Sequence, residues 1–329
     1  MKNIYGLILR GPGKMEFSKN LEELFNFTPE KGQLLVQVKF APMNPSDFYF
    51  YKNVYYDKKP FPCIPGFEGF GIVADVGDDN QKHLIGKPCV FLAFGPGSGA
   101  YASHTLTALR NTVILDTLPN PDHFEFLVNP VTAIGLLEEA QKINAKSFIQ
   151  TGASTSVGKL ILYFNSKGSK MDSINIVRDI KHRQELLALG ASAVLDSSDK
   201  EFNPVLEKLI SGHQPTAVFD AVAGKFGASL FNKLPRNAIQ WVYGALELRT
   251  MDGIDPAEFI FTGKQMRGFH IIHNFLRYKD LGQFHKEIND VANNFKQAPG
   301  TKVFDIEHFE EALKYFPHKK EKLLFRCSV

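Results

Sequence analysis

The segment Thr151-Gly-Ala-Ser-Thr-Ser-Val-Gly158 carries residue types suited to holding an anion. It follows the run Phe148-Ile149-Gln150 and leads into Val157, Leu160, Ile161 and Phe164, which recur at helical spacing. Strand, glycine turn and helix N-terminus, in that order, present free backbone N–H groups and the positive end of the helix dipole to a phosphate. Gly152 suits the tight turn, and Gly158 lets the helix pack close. A three-glycine spacing would put its middle glycine at Thr155. Thr155 and Ser156 offer hydroxyl donors there instead, and the Val157–Gly158 backbone completes the expected pyrophosphate cradle.

The next strand ends at Val177-Arg178-Asp179, about 20 residues beyond Gly158. An acidic residue at that distance holds the ribose 2′-hydroxyl of NAD, whereas an arginine accommodates the 2′-phosphate of NADP. Arg178 comes first and Arg183 follows within a turn, so the spacing favours NADPH. Asp179 serving a ribose, or both arginines as solvated cap residues, are the alternatives.

The elements that must position these groups are also readable. From Ser147 to Tyr243 strands and helices alternate. The strands are expected at Ser147–Thr151, Ser173–Arg178, Ala193–Asp196, Thr216–Asp220 and Ala238–Tyr243, with helices between them and another helix at Val131–Ile143. That alternation implies βαβ units around a parallel sheet. Residues 1–118 read differently. Gln33–Phe40 partly alternates apolar and polar residues, and the stretch beyond it is punctuated by Pro42, Pro45, Pro60, Pro62, Pro65, Gly66, Gly69 and Gly71. After about Gly263 the pattern loosens, with a helical stretch at Tyr278–Lys296 and a last strand near Leu323–Arg326. The expected division is a mostly β domain from residues 1–118 with 265–329, and a dinucleotide-binding domain from 119–264.

Composition narrows the classes. The chain has 329 residues, 44% hydrophobic and 22% charged, which fits a globular protein of about two domains. Its formal charge of +3 gives no broad electrostatic footprint for nucleic acid or an anionic membrane. No apolar run approaches the ~18–20 residues of a membrane span. Three scattered cysteines, Cys63, Cys89 and Cys327, make neither a disulfide framework nor a zinc knuckle. A reducing, cytoplasmic setting is the corresponding expectation. The run from Met1 to Arg10 reads as a strand, with no leader ahead of it.

Several stretches together resemble the medium-chain dehydrogenase/reductases, specifically the zinc-independent quinone oxidoreductase and 2-enoyl thioester reductase branch. They are Asn44-Pro-Ser-Asp47, Pro65-Gly-Phe-Glu-Gly-Phe-Gly71, Gly99-Ala-Tyr-Ala102, Asn129-Pro-Val-Thr-Ala133, the loop Gly152–Gly158, Val177-Arg-Asp179, Leu189-Gly-Ala191, Tyr243-Gly244 and Arg267-Gly-Phe269. The resemblance implies an α/β protein: a Rossmann-type doubly wound parallel sheet beside a mostly β, GroES-like catalytic domain. It implies a homodimer acting on a small molecule. Zinc-using relatives carry Cys where this chain has Asn44 and His where it has Phe67. Phe cannot ligate a metal and Asn is a poor zinc partner, so no metal is expected.

Hydride transfer from NADPH to an activated double bond needs no metal: an enoyl thioester, an enal or a quinone would serve. A proton must then reach the α-carbon of an enoyl substrate. The resemblance places Tyr55 as that acid, with Tyr56 as the counterpart one position on, and packing as the alternative for the whole aromatic stretch. Asn44 would polarise the substrate carbonyl. Thr132 would touch the cofactor or cap a helix. Tyr243 and Gly244, at a strand end, would flank the nicotinamide half. Glu68 reads as a structural carboxylate. The second function class is an NADPH-binding regulatory protein with little turnover.

Overall fold

The structure is a computed structural model that describes residues 3–55, 59–94, 98–120, 125–271, 280–295, 300–318 and 321–328. The chain divides into two compact units, Met1–Val128 with Tyr278–Val329, and Asn129–Arg277.

The first unit is mostly strand. β1 (Gly6–Gly11) and β2 (Lys14–Ser18) form a hairpin. β3 (Gln33–Pro42), β4 (Glu68–Val76), β5 (Pro88–Leu92), β6 (His104–Ala108), β7 (Thr112–Ile114), β14 (Thr301–Asp305) and β15 (Lys322–Arg326) form a seven-stranded sheet. Its order is β14-β15-β3-β4-β5-β7, with β6 also paired to β3. The long β3 supplies both cores by simple alternation. Leu34, Val36 and Val38 enter a cluster with Leu7, Phe91, Tyr101 and Phe325. Leu35 points the other way, into a cluster with Ile4, Ile8, Leu21, Phe27 and Ile64. A short helix, α1 (Pro45–Tyr51), interrupts the strands. Pro45 fits its first turn because the missing N–H has no partner there anyway. Asp47 in that turn accepts from the Asn44 backbone N–H at 2.9 Å.

In the second unit six strands form one parallel sheet: β8 (Ser147–Thr151), β9 (Asp172–Val177), β10 (Ala193–Asp196), β11 (Ala217–Asp220), β12 (Ile239–Val242) and β13 (Gln265–Gly268). The order is β10-β9-β8-β11-β12-β13. The chain therefore winds outward in both directions from β8, and the order reverses between β8 and β11. Open sheets of this kind bind ligands beyond the carboxyl ends of the strands at that reversal. The helices are α2 (Val128–Lys142), α3 (Ser156–Lys167), α4 (Arg183–Ala188), α5 (Phe202–His213), α6 (Gly224–Lys233) and α7 (Pro256–Ile260). Two more, α8 (His285–Asn294) and α9 (Phe309–Tyr315), belong to the first unit.

The units part from the expected boundaries at both seams. Residues 119–128 were expected with the nucleotide domain. Their described part is tied into the first unit, because Leu127 and Val128 donate to Glu68 and Glu125 pairs with Lys322. Residues 265–268, expected in the β domain, are the sixth strand of the parallel sheet. β13 is an edge strand with mostly exposed residues, so it lacks the apolar signature of its neighbours. Helix α2 begins at Val128, ahead of the expected Val131, since its first turn accommodates Pro130. In the stretch expected as helix over 278–296, a 3₁₀ turn at Leu281–Phe284 leads into α8, while Tyr278, Lys279 and Lys296 lie outside the described residues.

Candidate active site

In the second unit the site is built around the turn after β8. Gly152 has φ +62°, a conformation that side chains resist. Thr155 caps α3, its hydroxyl oxygen accepting from Gly158 N–H at 3.3 Å. Ser156 and Val157 form the first turn of α3, which contains no acidic residue. Gly158 lies against the loop itself: a Cβ there would come 2.6 Å from the Ala153 carbonyl oxygen. Close packing at Gly158 thus folds the loop onto its own helix.

Two further segments meet at this end of the sheet. Leu246 and Glu247 N–H donate to the Ala221 and Val222 carbonyls at 3.1 and 3.0 Å. Tyr243 N–H donates to the Asp220 carbonyl, and Gly244 packs on the Ala221 backbone. The Tyr243 hydroxyl is buried near Thr155 and makes no hydrogen bond of standard geometry among the described residues. Burial pushes its pKa up; the Asp220 charge adds to this and Thr155 opposes it.

Arg178 follows β9 and Arg183 opens α4. Both are exposed, and among the described residues neither is held in an ion pair. Asp179 is already committed. It caps the next turn through Lys181 N–H and pairs with the Lys181 ammonium at 2.5 Å, which holds its carboxyl below the usual range. Its side chain is therefore employed locally, which weakens the ribose alternative. Thr132 lies within the first turns of α2, buried, and past the capping position.

Asn44, Asp47, Tyr55, Phe67 and Glu68 converge in the first unit. Phe67, at the position of a metal-binding histidine in zinc-using relatives, is the hub of an aromatic cluster. Phe50, Tyr55 and Phe94 have ring centroids 5.3, 5.5 and 5.8 Å from it, and the Lys59 ammonium lies 5.6 Å from its ring. Lys59 donates to the Ala93 and Ser98 carbonyls, and burial lowers its pKa to about 8. Tyr55 is half-buried; Tyr56 lies outside the described residues. One Asn44 amide N–H is committed to Glu68 at 2.7 Å. The other Glu68 oxygen accepts from Leu127 and Val128 N–H at 2.8 and 2.7 Å. Burial raises the Glu68 pKa against these donors and the charge of Lys322. Asp47 accepts from Asn44 and Phe67 N–H, and burial lifts its pKa to about 7. Among the described residues no three His, Cys, Asp or Glu side chains are grouped to hold a metal ion.

The pattern of the alcohol dehydrogenase GroES-like domain matches residues 30–117. The mitochondrial enoyl-[acyl-carrier-protein] reductase of Arabidopsis thaliana is 26% identical over 306 residues, covering 89% of this chain and 80% of the relative. The corresponding protein of Schizosaccharomyces pombe is 27% identical, covering 73% and 70%. Residues 30–117 thus carry the GroES-like domain of alcohol dehydrogenases, and most of the chain is similar to enoyl reductases. Solved structures agree on the fold. A Mesorhizobium loti protein assigned as an NADPH:quinone reductase superposes with a TM-score of 0.84 at 23% identity, over 99% of each chain. The Candida tropicalis Etr1p/NADP/crotonyl-CoA complex gives 0.76 at 20%, over 99% of this chain and 100% of that one.

The Phe67 hub, the reach of Glu68 to Leu127, and the place of Lys59 carry no local sequence signal. A buried carboxylate in an apolar strand signals that partners exist, but not which ones.

Proposed function

We propose that the protein is a metal-independent, NADPH-dependent oxidoreductase that saturates a double bond conjugated to a carbonyl, with a 2-enoyl thioester ahead of a quinone or an enal. The observation that carries this is the α3 N-terminus at the sheet's reversal point, capped by a neutral hydroxyl, with the exposed Arg178 and Arg183 following the adjacent strand β9. It fits a dinucleotide: donors for the pyrophosphate, a buried Tyr243 hydroxyl with bonding capacity to spare, and cations for a 2′-phosphate. Relatives named as enoyl reductases across most of the chain support the thioester.

NADPH, when bound, supplies the hydride that goes to the substrate β-carbon. The chain's own residues do the rest. Gly152, Thr155, Ser156, Val157 and Gly158 hold the pyrophosphate, and Arg178 with Arg183 holds the 2′-phosphate. Thr132, Tyr243 and Gly244 orient the nicotinamide half. Asn44, with one amide proton not engaged by Glu68, donates to the substrate carbonyl as negative charge builds there. Tyr55 delivers a proton to the α-carbon. Asn44 and Phe67 stand where a zinc would need ligands, so no step uses one.

A homodimer is supported by the outer position of β13, beside the exposed Phe259, Ile260 and Phe261 of the preceding segment. Light scattering at the mass of two chains tests it. All three cysteines are free and buried, consistent with a reducing, cytoplasmic setting; the named relatives are mitochondrial, and fractionation decides between these compartments.

The test is turnover of NADPH with a crotonyl thioester, an enal and 1,2-naphthoquinone. Saturated thioester is the expected product. Tight NADPH binding with no turnover on any substrate would point to a regulatory protein instead. Tyr55→Phe keeps the ring and removes the hydroxyl. Its kcat on the thioester is expected to fall by roughly 10²–10⁴, the scale of general acid catalysis. A quinone should suffer less, because its product takes protons from water. Full activity on the thioester would remove Tyr55 from the mechanism.

A further inference from the structure

Behind the glycine turn lies a fully buried polar network that the proposed reaction does not use. Thr151 ends β8 and Asp220 ends the neighbouring β11. Both are 0% exposed. The Thr151 hydroxyl donates to Asp220 Oδ1 at 2.7 Å and accepts from Ala221 and Val222 N–H at 2.9 and 3.2 Å. Asp220 Oδ1 also accepts from Val222 and Ala223 N–H, both at 3.0 Å. Asp220 Oδ2 accepts from Gln240 Nε2 at 2.7 Å. Three consecutive backbone N–H groups are thus drawn inward onto two side chains.

The turn they hold is strained. Ala223 sits at φ +56°, ψ −141°, which a residue with a Cβ resists. The carbonyls of the same turn are occupied too, by Leu246, Glu247 and Gly227 N–H. Residues 221–223 are therefore a rigid support on which 243–247 rests. The side of the sheet matters here. Arg178 and Arg183 place the adenosine end of a dinucleotide beyond β9, so its other half crosses the reversal point toward β11 and β12.

We propose that Thr151, braced against Asp220, is a positioning residue that shapes the 221–224 turn and the Tyr243–Leu246 segment for the nicotinamide half of the cofactor. This rests on the NADPH reading. It assigns Thr151 no contact with the cofactor and no part in binding its adenosine end.

The experiment is the affinity of Thr151→Val and Thr151→Ser for NADPH and for 2′,5′-ADP, which carries only the adenosine end. Valine keeps the shape, removes one donor from Asp220 Oδ1, and leaves Ala221 N–H without its acceptor while Val222 N–H keeps only Asp220. The expected result is a loss of about tenfold or more for NADPH, unchanged 2′,5′-ADP binding, and recovery in Thr151→Ser. Unchanged NADPH affinity in Thr151→Val overturns the proposal. So does an equal loss for both ligands, which would make Thr151 a general brace of the domain. If Thr151→Val does not fold, Thr151→Cys carries the test, keeping a small side chain with a much weaker acceptor and donor. Weaker NADPH with unchanged 2′,5′-ADP supports the proposal, and equal binding of both overturns it. A wild-type protein that binds neither ligand would instead remove the cofactor reading itself.

Discussion

Helices α3 and α6 begin at the same end of the parallel sheet, directly after the neighbouring strands β8 and β11, yet their N-termini are built in opposite ways. At α6 the protein supplies its own anion. Glu247 accepts from Phe226 N–H at 3.1 Å and lies so close to Gly224 that a Cβ there would come 2.4 Å from its carboxylate. At α3 the cap is a neutral threonine hydroxyl and the first turn carries no acid. The start of α2 follows the α6 pattern, since Glu68 reaches across the first unit to Leu127 and Val128 N–H. A helix N-terminus draws negative charge wherever it stands. Two of these three satisfy that internally, and α3 is the one whose first turn carries no acid, as the proposed pyrophosphate site requires.

The most severe way to break the contrast is to make α3 resemble α6. Ser156→Asp puts a carboxylate where the pyrophosphate would sit. Two like charges ~4 Å apart at an effective dielectric near 20 repel by about 4 kcal/mol, so NADPH affinity should fall by roughly 10²–10³. Titration by cofactor fluorescence measures it, and unchanged affinity would move the phosphate site elsewhere. Arg178→Ala comes next. Losing a charge-assisted hydrogen bond costs ~1.5–3 kcal/mol, or roughly 10–150-fold for NADPH, with NADH within a few-fold because it has no 2′-phosphate. Equal losses for both cofactors would make Arg178 structural.

The internal anions should show up in stability instead. Glu68→Gln turns an amide N–H toward groups that are themselves donors, leaving at least one of the Asn44, Leu127 and Val128 donors without an acceptor. A cost of about 1–3 kcal/mol is expected in urea unfolding. Glu247→Gln is the mildest, at ~0.3–1 kcal/mol for an exchanged N-terminal charge, with NADPH affinity unchanged. A large drop in NADPH affinity in Glu247→Gln would mean that α6 shares the cofactor and the contrast fails.

How much was legible in the sequence divides along the same line between local and distant partners. β8 and β10 lie where their apolar runs place them, at Ser147–Thr151 and Ala193–Asp196, because buried parallel strands announce themselves. β13 does not, since an exposed edge strand needs no apolar residues. The glycine turn and the cap at Thr155 are local and readable. The bond from Thr151 to Asp220 spans 69 residues and the bond from Glu68 to Leu127 spans 59, so only the fold brings them together. What the sequence does carry is the anomaly: Gln150, Thr151, Asp220 and Gln240 are polar residues in strands covered on both sides, and such residues must be paired. The Phe67 hub was hidden for the opposite reason, because an aromatic among aromatics reads as packing.

Transfer of label from the cofactor separates hydride delivery from mere cofactor binding. The protein is supplied with NADPH carrying deuterium at the transferable C4 position and with a crotonyl thioester in ordinary water, and the product is analysed by NMR. The expected product is butyryl thioester with one deuterium at the β-carbon, a solvent-derived proton at the α-carbon, and one NADPH consumed per product. Product without deuterium at the β-carbon, or no product while NADPH stays bound, would contradict it.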